Sequence, residues 1–462
     1  MKIKYRLSVL WFLQFFVWGA WLITFGNYWF GTKQWDGSWF GIIFSTMGIA
    51  SLFMPALTGM IADRWMNAER LYALLHVLYG GVLFFIPLVE SPISFFWYML
   101  LAMCFYMPTL SLSNSVSYTV LKKRNGDVVK DFPPIRVWGT VGFIAAMWIT
   151  NLSGNKASAY QFTIAGVVAV ICGLYALFLP ECPPEKSEKG DKNLLELLGL
   201  DAFKLFSDKK ILLFFVFSMF LGAALQLTNA YGDVFLGEFK NIPRYRDSFV
   251  VKRSTLIMSI SQISETLFIL SIPFFFKKFG VKLVMLMSIS AWVLRFALFA
   301  LGTPEGFGLV FIILSCIVYG MAFDFFNISG SIFIETYTSP KIRSSAQGLF
   351  MMMTNGFGSV LGSFSAGWLI DLFFTSYYTR AQDLARYMDT TVNNGYFVNV
   401  LKENFGVTIL ENGFLSRSVA IREWPYIWFV FSLYAFVIGI LFALLFKDDL
   451  QESKKITSPH NI

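Results

Sequence analysis

The sharpest candidates among the ionisable residues inside long apolar stretches of this chain are Arg136, Glu265, Arg295 and Asp324. A charge in hydrocarbon is costly, so such a residue marks a pathway, a relay or a buried brace. Helical spacing extends three of the four into polar faces. Arg136, Thr140 and Phe143 fall at i, i+4 and i+7. Gln262 and Glu265 are one turn apart, and Tyr319 and Phe323 are one turn apart with Asp324 beside them. A fourth stretch carries Gln226, Asn229 and Asp233 at i, i+3 and i+7. Amides and an arginine read carbonyl and ring-nitrogen edges, carboxylates accept hydroxyls, and aromatic rings stack on a planar group. The set therefore suits a planar, polyhydroxylated, uncharged solute. Interhelical hydrogen bonding is the bland reading of any single amide, but it is a weak account of three charges and three amides together. Two carboxylates also suggest proton coupling, because a carboxyl group held away from water can take up and release a proton during transport. Asp324 is the first candidate for that role and Glu265 the second. Arg136 nearby would let solute and proton compete for one contact.

The elements that must hold these residues are membrane helices. Among the 462 residues, 56% belong to the AVILMFWYC set, 18% are aromatic and 14% are charged, against about 25% charged in soluble domains. That composition excludes a disordered chain, a disulfide scaffold and an ordinary soluble enzyme. Apolar runs lie near 7–30, 38–62, 70–89, 94–120, 136–152, 160–180, 211–236, 254–276, 282–302, 306–335, 344–374 and 425–446. In hydrocarbon such runs are helices, since every backbone group must be satisfied internally. The expected fold is an all-α polytopic membrane protein with twelve spans. The short basic loops share the side of the N-terminus, which places both termini in the cytoplasm. The net charge of +8 is read as topology, not as nucleic-acid binding. The basic start MKIKYRL is followed by too long an apolar run for a cleaved leader, and is taken as a retained first span.

The loop 181–210, with CPPEKSEKGDKN and a short amphipathic stretch, divides the chain into halves 1–180 and 211–446, followed by a tail, 447–462. A 6+6 plan with a polar central loop is the major facilitator architecture, in which two halves rock about a midplane site. Gly59, Asp63 and Arg64 resemble its G-x-x-x-D-R signature: Gly59 would permit close helix approach, and Asp63 would hold one gate state across the halves. The stretch NGFGSVLGSFSAG, 355–367, pairs Gly358 with Gly362 and reads as tight packing or a flexing helix. The insertion 375–424, outside, is expected to be a family-specific addition with no transport role, folded as a small helical cap. Arg295 lies on an outer helix and is read as structural or snorkelling. His76 is a packing residue. Only two histidines occur, and no metal or cofactor is implied. Cys104, Cys172, Cys182 and Cys316 show no metal-ligand spacing and are expected as free thiols.

Five runs carry a resemblance: DFPPIRVWGTVGF, SISQISETLFILSIPFF, AWVLRFALFA, YGMAFDFFNISGS and SSAQGLFMMMTNGFG. They look like the bacterial nucleoside–proton symporters of the major facilitator superfamily, as does the opening FLQFFVWGAWL with FMPALTGMIADRW. The resemblance covers nearly the whole chain and ends at 375–424 and 447–462. It implies import of purine and pyrimidine nucleosides such as uridine and adenosine, with protons, into the bacterial cytoplasm by a multi-pass inner-membrane protein. It maps the substrate pocket onto Arg136, Thr140, Phe143, Gln226, Asn229, Gln262, Glu265, Tyr319, Phe323 and Asp324. Our own division gives Arg136, Gln226 and Asn229 to the base, and Gln262, Glu265 and Asp324 to the ribose. Alternating access within one chain makes a monomer the default. Two other readings belong to this stage: a facilitator of the same fold for another sugar-bearing solute, and a nucleoside facilitator without proton coupling. An embedded enzyme would need a catalytic constellation that the sequence does not offer.

Overall fold

The computed structural model describes residues 3–124, 128–184, 200–338 and 343–446. The first half holds α1 (Ile3–Gly19), α2 (Gly37–Arg64), α3 (Ala68–Phe85), α4 (Pro92–Lys123), α5 (Val128–Leu152) and α6 (Tyr160–Ala176). The second holds α7 (Lys209–Glu238), α8 (Ser254–Ala300), α9 (Gly306–Tyr337), α10 (Arg343–Met351), α11 (Ser359–Phe373) and, after an insert, α14 (Trp424–Leu445). Among the described residues, nine helices are long and apolar enough to cross a membrane. The expected runs outside those nine differ for local reasons. Run 160–180 is the apolar but shorter helix α6. Run 7–30 breaks after Gly19, turns irregularly and resumes as a π-helical stretch, Asn27–Lys33. Run 254–276 is the first limb of α8, which bends at Gly280, where φ is 74°.

Helix starts follow their sequence. Ser91 accepts the Ser94 N–H at 3.3 Å, with Pro92 in the first turn of α4. Asp208 accepts the Lys210 and Ile211 N–H groups at 2.8 and 3.2 Å and starts α7. Each cap satisfies donors that a helix terminus leaves orphaned. The amphipathic linker stretch is described only from residue 200, where Leu200–Ser207 forms 3₁₀ turns; the rest of it, and the tail 447–462, lie outside the described residues.

The insertion departs from both the helical cap and the all-α expectation. It folds as β1 (Thr375–Arg380), α12 (Ala381–Tyr387), α13 (Gly395–Phe405) and β2 (Phe414–Arg422). The strands pair antiparallel, Thr375 opposite Arg422 and Tyr378 opposite Val419, with an irregularity between Tyr378 and Arg380. Leu384, Phe397, Val400, Leu401, Leu415 and Val419 form a core of its own. Asn394 caps α13 by accepting the Tyr396 N–H at 2.9 Å, and Gly406 ends it at φ 59°, the left-handed conformation that favours glycine. Tyr378, Val419 and Ile421 supply the β-branched and aromatic residues that a strand pair prefers.

The halves meet at the end of the bundle that carries this insert. Among the described residues, the hydrogen bonds that cross between them all lie there. Asn27 donates to Asp233; Trp148 Nε1 donates to Ser259 Oγ at 2.9 Å; Lys156 Nζ donates to Val251 O at 2.7 Å and Ser254 Oγ at 3.0 Å. Along α2 the contact fades toward the other end. Gly41 sits against the Ser363 carbonyl and Gly367, and Gly48 against Gly356 and Val360, so close that a side chain on either glycine would collide. At Gly59, and at Gly348 on α10, an added Cβ would meet nothing within 4 Å. The close approach expected at Gly59 is therefore made by Gly41 and Gly48 instead. Arg64 is exposed. Asp63 lies in the last turn of α2. The glycines of 355–367 pack tightly: a Cβ on Gly358 would strike the Met219 carbonyl, and one on Gly362 would lie 2.6 Å from Ala223 Cα.

Candidate functional site

The polar faces sit on four helices, one in the first half and three in the second. Arg136, Thr140 and Phe143 come from α5; Gln226 and Asn229 from α7; Gln262 and Glu265 from the first limb of α8; and Tyr319, Phe323 and Asp324 from α9. The charges of Arg136, Glu265 and Asp324 act on one another, yet among the described residues no ion pair joins them. A charged triad that is close but not clasped leaves its partners available to something between them.

Aromatic side chains of α1 hold the first-half wall. The Arg136 guanidinium lies 4.8 Å from the ring centre of Trp11 and 4.3 Å from that of Phe15, within cation–π range. Trp18 meets Phe143 edge-on at 6.4 Å, and its Nε1 is buried without a partner. A Cβ on Gly142 would strike the Phe12 carbonyl, so this glycine lets α1 and α5 press together behind the site. On the opposite wall, Tyr319 and Phe323 lie parallel at 5.9 Å, with Trp292 edge-on to Tyr319 at 5.9 Å. α8 and α9 touch closely here, because Gly320 faces the backbone of Ser264 and Glu265 at 2.6–2.7 Å from where a Cβ would be.

Three buried polar atoms of this wall lack hydrogen-bond partners: Gln226 Oε1, Gln262 Oε1 and Asp324 Oδ2. Leaving such an atom unpaired costs about 1–3 kcal/mol each.

Sequence reasoning missed the brace behind the site. Arg295 is fully buried, so it does not snorkel. Its Nε donates to Thr228 Oγ1 at 3.2 Å, and its Nη1 to Ser261 Oγ at 3.3 Å and Ser315 O at 2.8 Å. The guanidinium also lies 4.5 Å from the Tyr319 ring centre. It thus ties together α7, α8 and α9 next to Gln226, Gln262 and Tyr319. Its signal was its charge alone; its partners are ordinary Ser and Thr residues. Asp233, on the same face as Gln226 and Asn229, is drawn away from the site. It is fully buried at the insert end, accepting from Asn27 and, at 3.2 Å, from Thr255 Oγ1. Lys156, in the connection between α5 and α6, is part of that seal; burial lowers its pKa, and Asp233 opposes the shift.

His76 is buried, with Nδ1 3.2 Å from the Tyr72 carbonyl oxygen. The four cysteines are free thiols, and all but Cys104 are buried.

Two sets of membrane helices, charged side chains held within the helices of each, and hydrogen bonds joining them at one end describe a membrane transporter of the major facilitator fold. The chain belongs to the nucleoside H+ symporter family, whose description matches residues 1–385. It is 44% identical to nucleoside permease NupG of Escherichia coli K12 over 97% of this chain and 96% of that one, and 43% identical to the xanthosine permease of the same organism over the same shares. The crystal structure of the nucleoside transporter NupG superposes with a TM-score of 0.81 at 44% identity, covering 97% of this chain and 100% of that chain. A bacterial homologue of the lysosomal transporter Spinster, 14% identical with a TM-score of 0.66, shares the fold. The chain is a multi-pass inner-membrane protein.

Proposed function

We propose that this protein imports purine and pyrimidine nucleosides together with protons, by alternating access between halves 1–180 and 211–446, as a monomer. In this reading the chain crosses the membrane twelve times, both termini are cytoplasmic, and the insert 375–424 stands outside. The seal at the insert end and the open face at Gly59 and Gly348 support an inward-facing state. Closure at Gly59, Asp63 and Arg64 belongs to the opposite state.

The observation that carries the proposal is the set of buried acceptors without partners on Gln226, Gln262 and Asp324, on helices whose Glu265 and Asp324 act on the charge of Arg136 in the other half. A nucleoside's donors would satisfy them. Arg136, Gln226 and Asn229 take the base, with Thr140 and Phe143 beside it. Gln262, Glu265 and Asp324 take the ribose, and Tyr319 and Phe323 offer a stacking face. Asp324 carries the proton, and Glu265 is its partner.

The test is uptake into vesicles containing the pure protein. Asp324→Asn is expected to abolish accumulation driven by a proton gradient; accumulation at the wild-type level would remove Asp324 from the coupling step. In the same assay Gln226→Ala should change the preference between adenosine and uridine by about fivefold, the worth of one hydrogen bond. An equal loss for every base would contradict the division of the pocket.

A further inference from the structure

A cavity lies at the insert end, and none of the central candidate residues lines it. Its volume is 380 Å³, within the size range of small-molecule sites. Three parts of the molecule build it. The first half contributes Gln34 and Trp35 from the π-helical stretch and its end; α7 and the chain after it contribute Lys240 and Asn241; the insert contributes Asn404 and Arg417. Asn27, Lys156 and Val251 of the seal line the cavity, and the first two bond to Asp233, Val251 and Ser254.

The lining is polar and built. Asn404 Nδ2 donates to Asn241 Oδ1 at 3.1 Å, and Arg417 Nη2 donates to the Phe405 carbonyl at 2.8 Å. The first bond fixes the insert against the bundle, and the second holds β2 to the end of α13 within the insert. Glu238 and Asp36 also line the cavity, and Glu238 pairs with Arg422 and, at 2.8 Å, accepts from Trp424 Nε1. Arg422 in turn rests 3.7 Å from the Phe30 ring centre, so the insert and the first half share one wall. Amide groups, an indole edge and ammonium groups together recognise carbonyl-bearing, hydroxylated heterocycles.

We propose that this cavity is an outer binding site, which holds a nucleoside above the closed seal before the halves rock open to the central site. The proposal rests on the function proposed above. Because each half supplies one wall, the outer site exists only while the insert end is closed, and opening the seal passes its occupant inward.

The experiment is equilibrium binding of labelled uridine to the full-length protein in detergent. Wild type is expected to bind two uridines per chain. The variant Asp324→Asn with Gln226→Ala should keep one, which Ser418→Trp then removes; Ser418 is exposed on β2 and lines the cavity, so the bulky ring fills it without disturbing the core. Gln34→Asn, which tolerates the left-handed φ of 55° at that position, should weaken the residual site about fivefold. In vesicles, Ser418→Trp alone should raise KM and leave the maximal rate unchanged. One uridine per wild-type chain, and none in the central-site variant, would overturn the outer site and leave nucleoside transport standing. No uridine or adenosine bound to wild type would instead overturn the function on which the proposal rests.

Discussion

At the scale of the residue, the account turns on which buried polar groups are satisfied. Gln14 donates to Thr109 at 2.9 Å and accepts from Tyr72, and is a packing residue. Gln226 and Gln262 have equal chemistry but open carbonyls. Sequence spacing identified the second pair because they share faces with charges; it could not have told them from Gln14 one by one. Arg295 shows the limit more sharply. Its hydrogen bonds reach Thr228, Ser261 and Ser315 on three helices far apart in the chain, a relation that no periodicity encodes. Replacing it by Lys keeps the charge and loses the planar fork. Arg295→Lys is expected to lower stability by about 1–3 kcal/mol and to raise KM, read by thermal unfolding and uptake. An unchanged melting temperature with unchanged KM would show that the brace does not support the site.

At the scale of the element, helices were legible where apolar length decides the outcome and illegible where the backbone breaks. In the run 7–30 apolar length conceals the irregular turn after Gly19, although Gly19, Thr24, Gly26 and Asn27 stand where the geometry changes. The insert was misread for a related reason. Its segments are short, and helix and strand patterns are ambiguous at that length. The glycines of α2 make a graded hinge face: closed at Gly41 and Gly48, open at Gly59. Gly59→Leu is therefore expected to leave the melting temperature of this state unchanged while uptake falls severely, since the added side chain blocks closure at the other end. Gly41→Leu, whose Cβ would strike the Ser363 carbonyl, should destabilise the same state outright. Wild-type uptake by Gly59→Leu would place the gate elsewhere.

At the scale of the whole molecule, the contacts between the halves are concentrated at one end, and the charges that act on one another across the central space remain unclasped. Asn27, Trp148 and Lys156 bind the second half directly, whereas Arg136 touches aromatic rings of its own half. That asymmetry is what alternating access requires: one end closed by polar bonds that can be exchanged for others, and a central site that neither half completes alone. The division into two halves is a reading of the sequence, from a polar loop between two sets of apolar runs. The side on which they close was not, because closure is a property of a state and not of the chain.

The central claim is proton-driven nucleoside import, and its most direct measurement is uridine uptake into vesicles containing this protein alone, with an inward proton gradient imposed and then collapsed by a protonophore. The account predicts saturable accumulation above the external concentration, lost when the gradient is lost and blocked by excess adenosine. Uptake that equilibrates and ignores the protonophore would contradict coupling and leave the carboxylates as substrate ligands; no uptake across a purine and pyrimidine panel would contradict the nucleoside assignment itself.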